Sequence, residues 1–474
     1  MVSKTKSYSF GKVIKEPARY RLLLLFYFFI VVYITKDSFI LNTGDYIRVT
    51  FPFIDADINE LRELTNSGGL IYKLKLENES ILEYFNVYPS FFSFLAYWYA
   101  VFIRVFTDYF DIRLFSLVGK FIFCLGFFSL WGIVNRDGSK LNLLFCLLAS
   151  LVLMIPAYSS MLNSFYQEQV IIYALPWVVV GYLNLFNKGG WITLVCAVTA
   201  ISLSKSQFFI FPGIVIVSLL LMPIKKNVTK KTVCMLVVAQ VFSLLFISMS
   251  GESTSLNKYH ATYYGVYLGK YLGDDKFDFN SNSNNIDVNC IGVDAWGNRY
   301  DSAQGATSSE IGEGCFERNK KISALSLLKF IIEQPEVLTY PLRSAFSEHL
   351  KLDYFHVYKK YLLLKGHDVE FIRHIQDFNE KYVSFLKVPI SIILMLALLI
   401  FGVVKPNVWL AIFWGLSTLT VSQAYISFFG EGYRDLSKHL FPMQYTFDFM
   451  LVVLIFTLLS RFKGVNTETF HNKN

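Results

Sequence analysis

Charge is scarce in this chain: Asp, Glu, Lys and Arg make up 17% of its 474 residues, against 54% apolar side chains. That balance excludes an ordinary soluble protein, because several apolar runs approach or exceed the length needed to cross ~30 Å of hydrocarbon. There is no glycine-rich loop followed by Lys-Ser or Lys-Thr, which argues against ATP-driven transport. There is no His-Glu-x-x-His pattern either, and His356, His367 and His374 lack metal-ligand spacing, so surface or packing roles are expected for them. No internal repeat is found, although small-molecule transporters often carry one. Cysteines are few. Cys124, Cys146, Cys196 and Cys234 lie in apolar runs as small hydrophobes. Cys290 and Cys315 stand alone in a long polar segment, and a pair in an oxidising compartment predicts one disulfide.

What is present reads as an α-helical polytopic membrane protein. Candidate spans are Leu22–Thr35, Leu114–Val134, Leu141–Ala157, Val170–Phe186, Trp191–Ser204, Phe208–Met222, Thr232–Ser250, Ser384–Val404, Val408–Phe428 and Phe441–Ser460. The surplus of basic residues is not a nucleic-acid signature. It gathers at Lys4, Lys6, Lys12, Lys15, Arg19 and Arg21, at Lys225, Lys226, Lys230 and Lys231, and at Arg461 and Lys463, as cytoplasmic anchors do. The basic N-terminus and its apolar run could pass for a signal peptide, but no small-residue cleavage site follows and Lys36-Asp37 ends the run.

Parity then decides the ambiguous run Tyr88–Phe106. Counting it as a crossing puts Lys225–Lys231 outside; leaving it out places every basic cluster inside and both termini in the cytoplasm. Ser90, Ser93, Tyr97, Ala100 and Arg104 make a small or polar stripe at helical spacing, which fits an interfacial helix on the outer leaflet. The competing reading is a true span whose stripe lines a cavity, with Trp191–Ser204 and Phe208–Met222 forming one re-entrant pair. On the first reading, residues 1–250 form an N-terminal membrane module with an outer loop at 36–87, in which Ile58, Leu61 and Leu64 predict a short helix. Residues 251–382 form a mainly helical outer domain that opens with a loop around Asn280–Asn289. Residues 383–474 supply the last helices, an outer turn at 429–440 and a cytoplasmic tail.

The outer face collects the reactive groups. Asp45 follows the Asn42-Thr43-Gly44 turn signal, where desolvation would raise its basicity enough to take a proton from a hydroxyl. Arg48, three residues on, would orient it or meet a phosphate; a capping Asp in a surface loop is the plainer reading. Lys205, within Ser204-Lys205-Ser206-Gln207, interrupts two short apolar runs. Broken half-spans place binding groups at membrane depth, and a snorkelling lysine is the alternative. Glu168 is either a second acid or a favourable charge before the helix that begins at Val170. The segment Gly430 to His439 is dense in charge for a turn. Arg434, Lys438 and His439 offer donors to phosphate, and Glu431 or Asp435 could hold hydroxyls or a metal.

Taken in order, Gly44-Asp45-Tyr46-Ile47-Arg48-Val49, Asn163-Ser164-Phe165-Tyr166-Gln167-Glu168, Ser204-Lys205-Ser206-Gln207, Tyr263-Tyr264-Gly265-Val266 and Gly430-Glu431-Gly432 through Lys438-His439-Leu440-Phe441 are similar to blocks of bacterial surface-glycan hexosyltransferases. The layout resembles the GT-C class of membrane glycosyltransferases, and within it the serotype-converting O-antigen glucosyltransferases. The resemblance implies a GT-C-like fold of about ten transmembrane helices in the bacterial inner membrane. It also implies inverting transfer of a hexose, glucose above all, from a polyprenyl-phosphate sugar to a cell-surface glycan acceptor such as O-antigen, at the outer face. Carried over by position, Asp45 is the base and Lys205 the phosphate contact; the further candidates for binding substrate are Arg48, Glu168, Gln207, Tyr264, Glu431, Arg434, Lys438 and His439. Some members need a divalent metal and others do not, and the sequence names no metal ligand. An O-antigen polymerase, a lipid-linked-sugar flippase and a small-molecule transporter are the rival classes.

Overall fold

In hydrocarbon every backbone N–H and C=O must be satisfied within its own segment, so unbroken apolar runs become helices. The computed structural model describes residues 18–461 except 37, 41, 43, 135–139, 188, 223–225, 250, 275–276, 280–285, 301–307, 347–369 and 435. Apolar helices run over Ala18–Thr35, Ile112–Val134, Lys140–Leu151, Val170–Leu183, Gly190–Ser202, Phe211–Leu219, Lys226–Met249, Lys387–Val404, Val408–Glu431 and Phe441–Arg461. Among the described residues, Ile112–Val134, Val228–Met249, His374–Val404 and Leu436–Leu458 are long and apolar enough to cross a membrane. The other expected crossings fall on shorter or less apolar helices. The loop expected over Asn280–Asn289 lies largely outside the described residues, as do His356, His367 and Asp435.

One expected span is broken. The run Leu141–Ala157 leaves its helix at Leu151, passes through a 3-10 turn at Val152–Met154, and restarts as the helix Pro156–Leu162. Ile155 takes an extended backbone (ψ 151°), because proline's ring disfavours the helical conformation in the residue before it. Val170–Leu183 packs closely along Gly190–Ser202: a Cβ on Gly181 would come within 2.6 Å of the Leu194 backbone. Helix Val408–Glu431 lies between Lys387–Val404 and Phe441–Arg461.

The helix Phe91–Ile103 is capped by Ser90, whose side chain accepts from Ser93 N. Its stripe of Ser90, Ser93, Tyr97 and Ala100 is buried against the protein, while Trp98, Phe102 and Phe106 point outward. Arg104 donates to the Lys75 carbonyl. The first outer loop carries the expected short helix, Ile58–Asn66, with Asp57 and Glu60 as a reciprocal cap and Leu61 buried. A two-stranded antiparallel ribbon, unforeseen in the sequence, pairs Ile71–Lys73 with Tyr109–Asp111 in the register Tyr72↔Phe110. It ties this loop to the base of helix Ile112–Val134.

Two groups of charge are sealed inside the bundle. Lys387 Nζ lies 2.9 Å from the Asp448 carboxylate, both at most 3% exposed. Tyr158 OH and Asn379 Nδ2 each donate to Asp448 Oδ2 at 2.6 Å, so this carboxylate ties the restarted helix to the C-terminal ones. Lys120 Nζ donates to Asn163 Oδ1 at 2.9 Å, and Asn163 Nδ2 in turn reaches the carbonyls of Thr35 and Ser38.

The region expected to form the outer domain holds, among the described residues, helices Gly251–Ala261, Tyr267–Gly273, Ser309–Asn319, Ala324–Glu333 and Tyr340–Phe346. Its apolar core is Tyr259, Tyr263, Val266, Tyr267, Phe279 and Phe330. A disulfide joins Cys290 to Cys315 across a sequence separation of 25. Of the thiols in the apolar runs, Cys124 and Cys146 are buried and Cys196 and Cys234 exposed.

Candidate active site

Asp45 owes its position to the turn before it. The Asn42 side chain accepts from Gly44 N at 2.8 Å and Tyr46 N at 3.3 Å, and Gly44 has φ +110°. A short helix, Ile47–Thr50, follows. Tyr46 anchors it, edge-on to Phe165 and Tyr166, with its hydroxyl on the Ile40 carbonyl. Arg48, one helical turn beyond, sets Nη1 3.4 Å from Asp45 Oδ1 and its guanidinium 5.6 Å over the Tyr88 ring.

Lys205 sits at a break between helices Gly190–Ser202 and Phe211–Leu219, in extended backbone (φ −150°). Its ammonium forms an ion pair with Glu168, which is 1% exposed. Glu168 lies in the 3-10 turn Gln167–Gln169, and Gln167 and Gln169 fix that turn through Ser93 Oγ (3.1 Å) and the Ser164 carbonyl (2.7 Å). Beside Lys205, Ser206 exchanges hydrogen bonds with the Tyr88 hydroxyl. Gln207 Nε2 donates to Gln423 Oε1 at 3.2 Å.

The turn after helix Val408–Glu431 joins these parts. Gly432 has φ +64°, and its backbone rests on Gly265 inside the π-turn Thr262–Val266. A Cβ on Gly432 would lie 2.6 Å from Gly265 N, so the two blocks holding these glycines meet main chain to main chain. From there Lys438 Nζ reaches Asp45 Oδ2 at 2.6 Å, and His439 Nε2 stands 2.8 Å from Glu431 Oε2. Ser427 Oγ donates to the His439 carbonyl.

A cavity of about 320 Å³ opens at this junction. Lys205, Gln207, Glu431 and His439 line it together with Asn257, Lys258, Thr262 and Ser323, and Phe209, Ile247, Ile322, Leu327, Ile426 and Phe429 add apolar surface. Arg48, Glu168 and Lys438 form the layer behind, linked to the lining by the Tyr88 ring, the Lys205 ion pair and the chain step to His439, and Asp45 pairs with Arg48 and Lys438 within that layer. Burial pushes the Asp45 carboxyl up, but Lys438, Arg48 and Lys205 outweigh it and hold it well below the usual range. This overturns the expectation that desolvation makes Asp45 strongly basic: three cations win over one burial penalty. Burial likewise opposes ionisation of Glu431, and His439, Lys438 and Lys205 overcome it.

Two of the sequence candidates point elsewhere. Arg434 faces the outer domain, with Nη1 3.1 Å from Asp294 Oδ2. Tyr264 accepts from Tyr433 N through its carbonyl and does not line the cavity. Among the described residues, no three His, Cys, Asp or Glu side chains gather to hold a metal ion; the acids here face cations instead. Sequence reasoning missed Tyr88, Ser206 and Gln423. Gln423 carried a legible signal, as an amide inside an apolar helix.

Two comparisons match nearly the whole chain. The family model described as the YfdI N-terminal transmembrane domain covers residues 11–474. The Escherichia coli (strain K12) protein named "Uncharacterized protein YfdI" is 33% identical over 440 residues, 92% of this chain and 95% of that one. No solved structure matches. A mainly helical membrane protein, matched from residue 11 to its last residue and aligned with its relative over nearly all of both chains, this chain belongs to the YfdI family.

Proposed function

We propose that this protein is an inverting glycosyltransferase with a GT-C-like membrane fold of about ten crossings, working at the outer face of the bacterial inner membrane. It moves a hexose, glucose in the first instance, from a polyprenyl-phosphate sugar to a cell-surface glycan such as O-antigen. The observation that carries this reading is the cavity: apolar side chains suited to a lipid chain share it with Lys205, Lys258, Gln207, Glu431 and His439, and the Asp45–Lys438–Arg48 group stands behind.

In the reaction the acceptor hydroxyl oxygen attacks the anomeric carbon while the bond from that carbon to the phosphate oxygen breaks. The electron pair leaves with polyprenyl phosphate, the hydroxyl proton passes to a carboxylate, and the anomeric configuration inverts. Fixed cations favour the departing phosphate in a water-poor site. A donor phosphate drawing on Lys205, Lys438 and Arg48 withdraws the charges that suppress Asp45, so the carboxylate becomes a base once the donor is seated. Glu431, which lines the cavity itself, is the alternative base.

The test is release of polyprenyl phosphate from a polyprenyl-phosphate hexose by the purified protein, with and without acceptor glycan. A flippase or a transporter releases none, and a polymerase lengthens a lipid-linked glycan instead. Lys205→Ala is expected to weaken donor binding by roughly 2–5 kcal/mol, as losing one partner of a buried charge pair does. Because it also strands the buried Glu168, it is best measured in a Glu168→Gln background.

A further inference from the structure

The outer domain presents an aromatic surface that the scheme above leaves unused. Its base is a turn from Val293 to Arg299, closed by a backbone bridge between those residues. The buried Asp294 holds the turn: Oδ1 accepts from Trp296 N at 2.9 Å and Asn298 N at 2.7 Å, and Oδ2 from Asn298 Nδ2 at 2.8 Å. Ala295 N donates to His260 Nε2 at 3.0 Å. Behind the turn, a Cβ on Gly312 would fall 2.1 Å from Gly297 N, so helix Ser309–Asn319 presses on the backbone itself. The turn is thus fixed from several sides, and it delivers Trp296 outward with half of the side chain exposed (50%).

Arg434 sits over the indole at 4.9 Å while pairing with Asp294. Tyr300, 38% exposed, lies nearby against Tyr433 and Tyr264. The guanidinium and the His260 ring, 5.1 Å from the indole, together fix Trp296, and the half that stays exposed meets solvent at an unfavourable hydration free energy. The surroundings are a guanidinium, an imidazole, a phenol and the Asn298 amide, not a contiguous apolar groove. That combination matches a pyranose, whose C–H face is apolar and whose rim is hydroxyl, and does not match an acyl chain.

We propose that Trp296, held on Arg434 with Tyr300 beside it, is a stacking platform for a hexopyranose unit of the glycan acceptor. That this glycan is the acceptor rests on the transferase reading; that the surface binds sugar does not. The experiment titrates the full chain in detergent with maltotetraose, a galacto-tetrasaccharide and a rhamno-tetrasaccharide, following binding by calorimetry and tryptophan fluorescence. At least one is expected to bind saturably, with affinity lowered 10-fold or more by Trp296→Ala and largely kept by Trp296→Phe, which preserves an aromatic face and controls for folding. No binding by the natural chain, or equal binding by Trp296→Ala, overturns the platform. Polyprenyl phosphate release, measured in parallel, separates the two readings. Release without sugar binding leaves the transferase standing alone, and sugar binding without release leaves the platform standing alone.

Discussion

Two lysine–carboxylate pairs in this protein use the same chemistry to opposite ends. Lys387 and Asp448 are closed off on every side, and Asp448 is satisfied by Tyr158 and Asn379 as well as by the ammonium. Lys438 and Asp45 are joined at 2.6 Å, yet Asp45 is 24% exposed and shares its charge with Arg48, beside a cavity. The first arrangement has no room for a further partner and ties helices together. The second holds a charge balance that an arriving anion can redistribute. Saturation, rather than residue type, separates the sealed pair from the one proposed to react.

The sharpest way to break this contrast is to neutralise each acid. Asp45→Asn keeps the side chain's size and is expected to lower turnover by roughly 10²–10⁴-fold with donor still bound. Near-normal turnover in that variant moves the base to Glu431. Asp448→Ala is expected to act on folding instead, removing about 3–5 kcal/mol because it strands a buried ammonium. Denaturant unfolding in detergent reads this, and the double change Lys387→Met with Asp448→Leu is expected to recover most of the loss. An Asp448 variant that folds normally but does not turn over would place that cluster in the chemistry and erase the contrast.

Smaller effects sharpen it. Opening the Cys290–Cys315 disulfide is expected to remove about 3 kcal/mol from the outer domain in the chain-entropy model, leaving the sealed Lys387 pair untouched. Limited proteolysis with and without reductant locates the loosened segment. The pH dependence is smaller again. The Asp45 and Glu431 carboxyls lie below their ordinary values in the folded chain, so their contribution is complete at neutral pH and is lost as pH falls below about 4. Wild type and Asp45→Asn should therefore differ in thermal stability at pH 6 and converge in acid.

Much of this was legible in the residues because hydrocarbon leaves the backbone few choices. The runs that became helices, the short helix at Ile58–Asn66 and the break at Lys205 follow from apolar length, period and interruption. The broken helix at Pro156 was legible too, since proline at that point in an apolar run is a stop signal, but run length overrode it. What the sequence hid was partnership. Nothing near Lys438 says that it meets Asp45, distant in the chain, and nothing near Glu168 says that it meets Lys205. Asp45 shows the cost: its depressed basicity depends on three cations, two of them far away in sequence. Lys387 and Asp448 carried a plain signal, charge inside apolar helices, and were passed over.

The meeting of Gly265 and Gly432 has a mechanical consequence. Side chains absorb displacement by changing rotamer, whereas two main chains in contact have no such slack. The π-turn and the turn at Gly432, joined also by Tyr433 N donating to the Tyr264 carbonyl, are therefore expected to shift together.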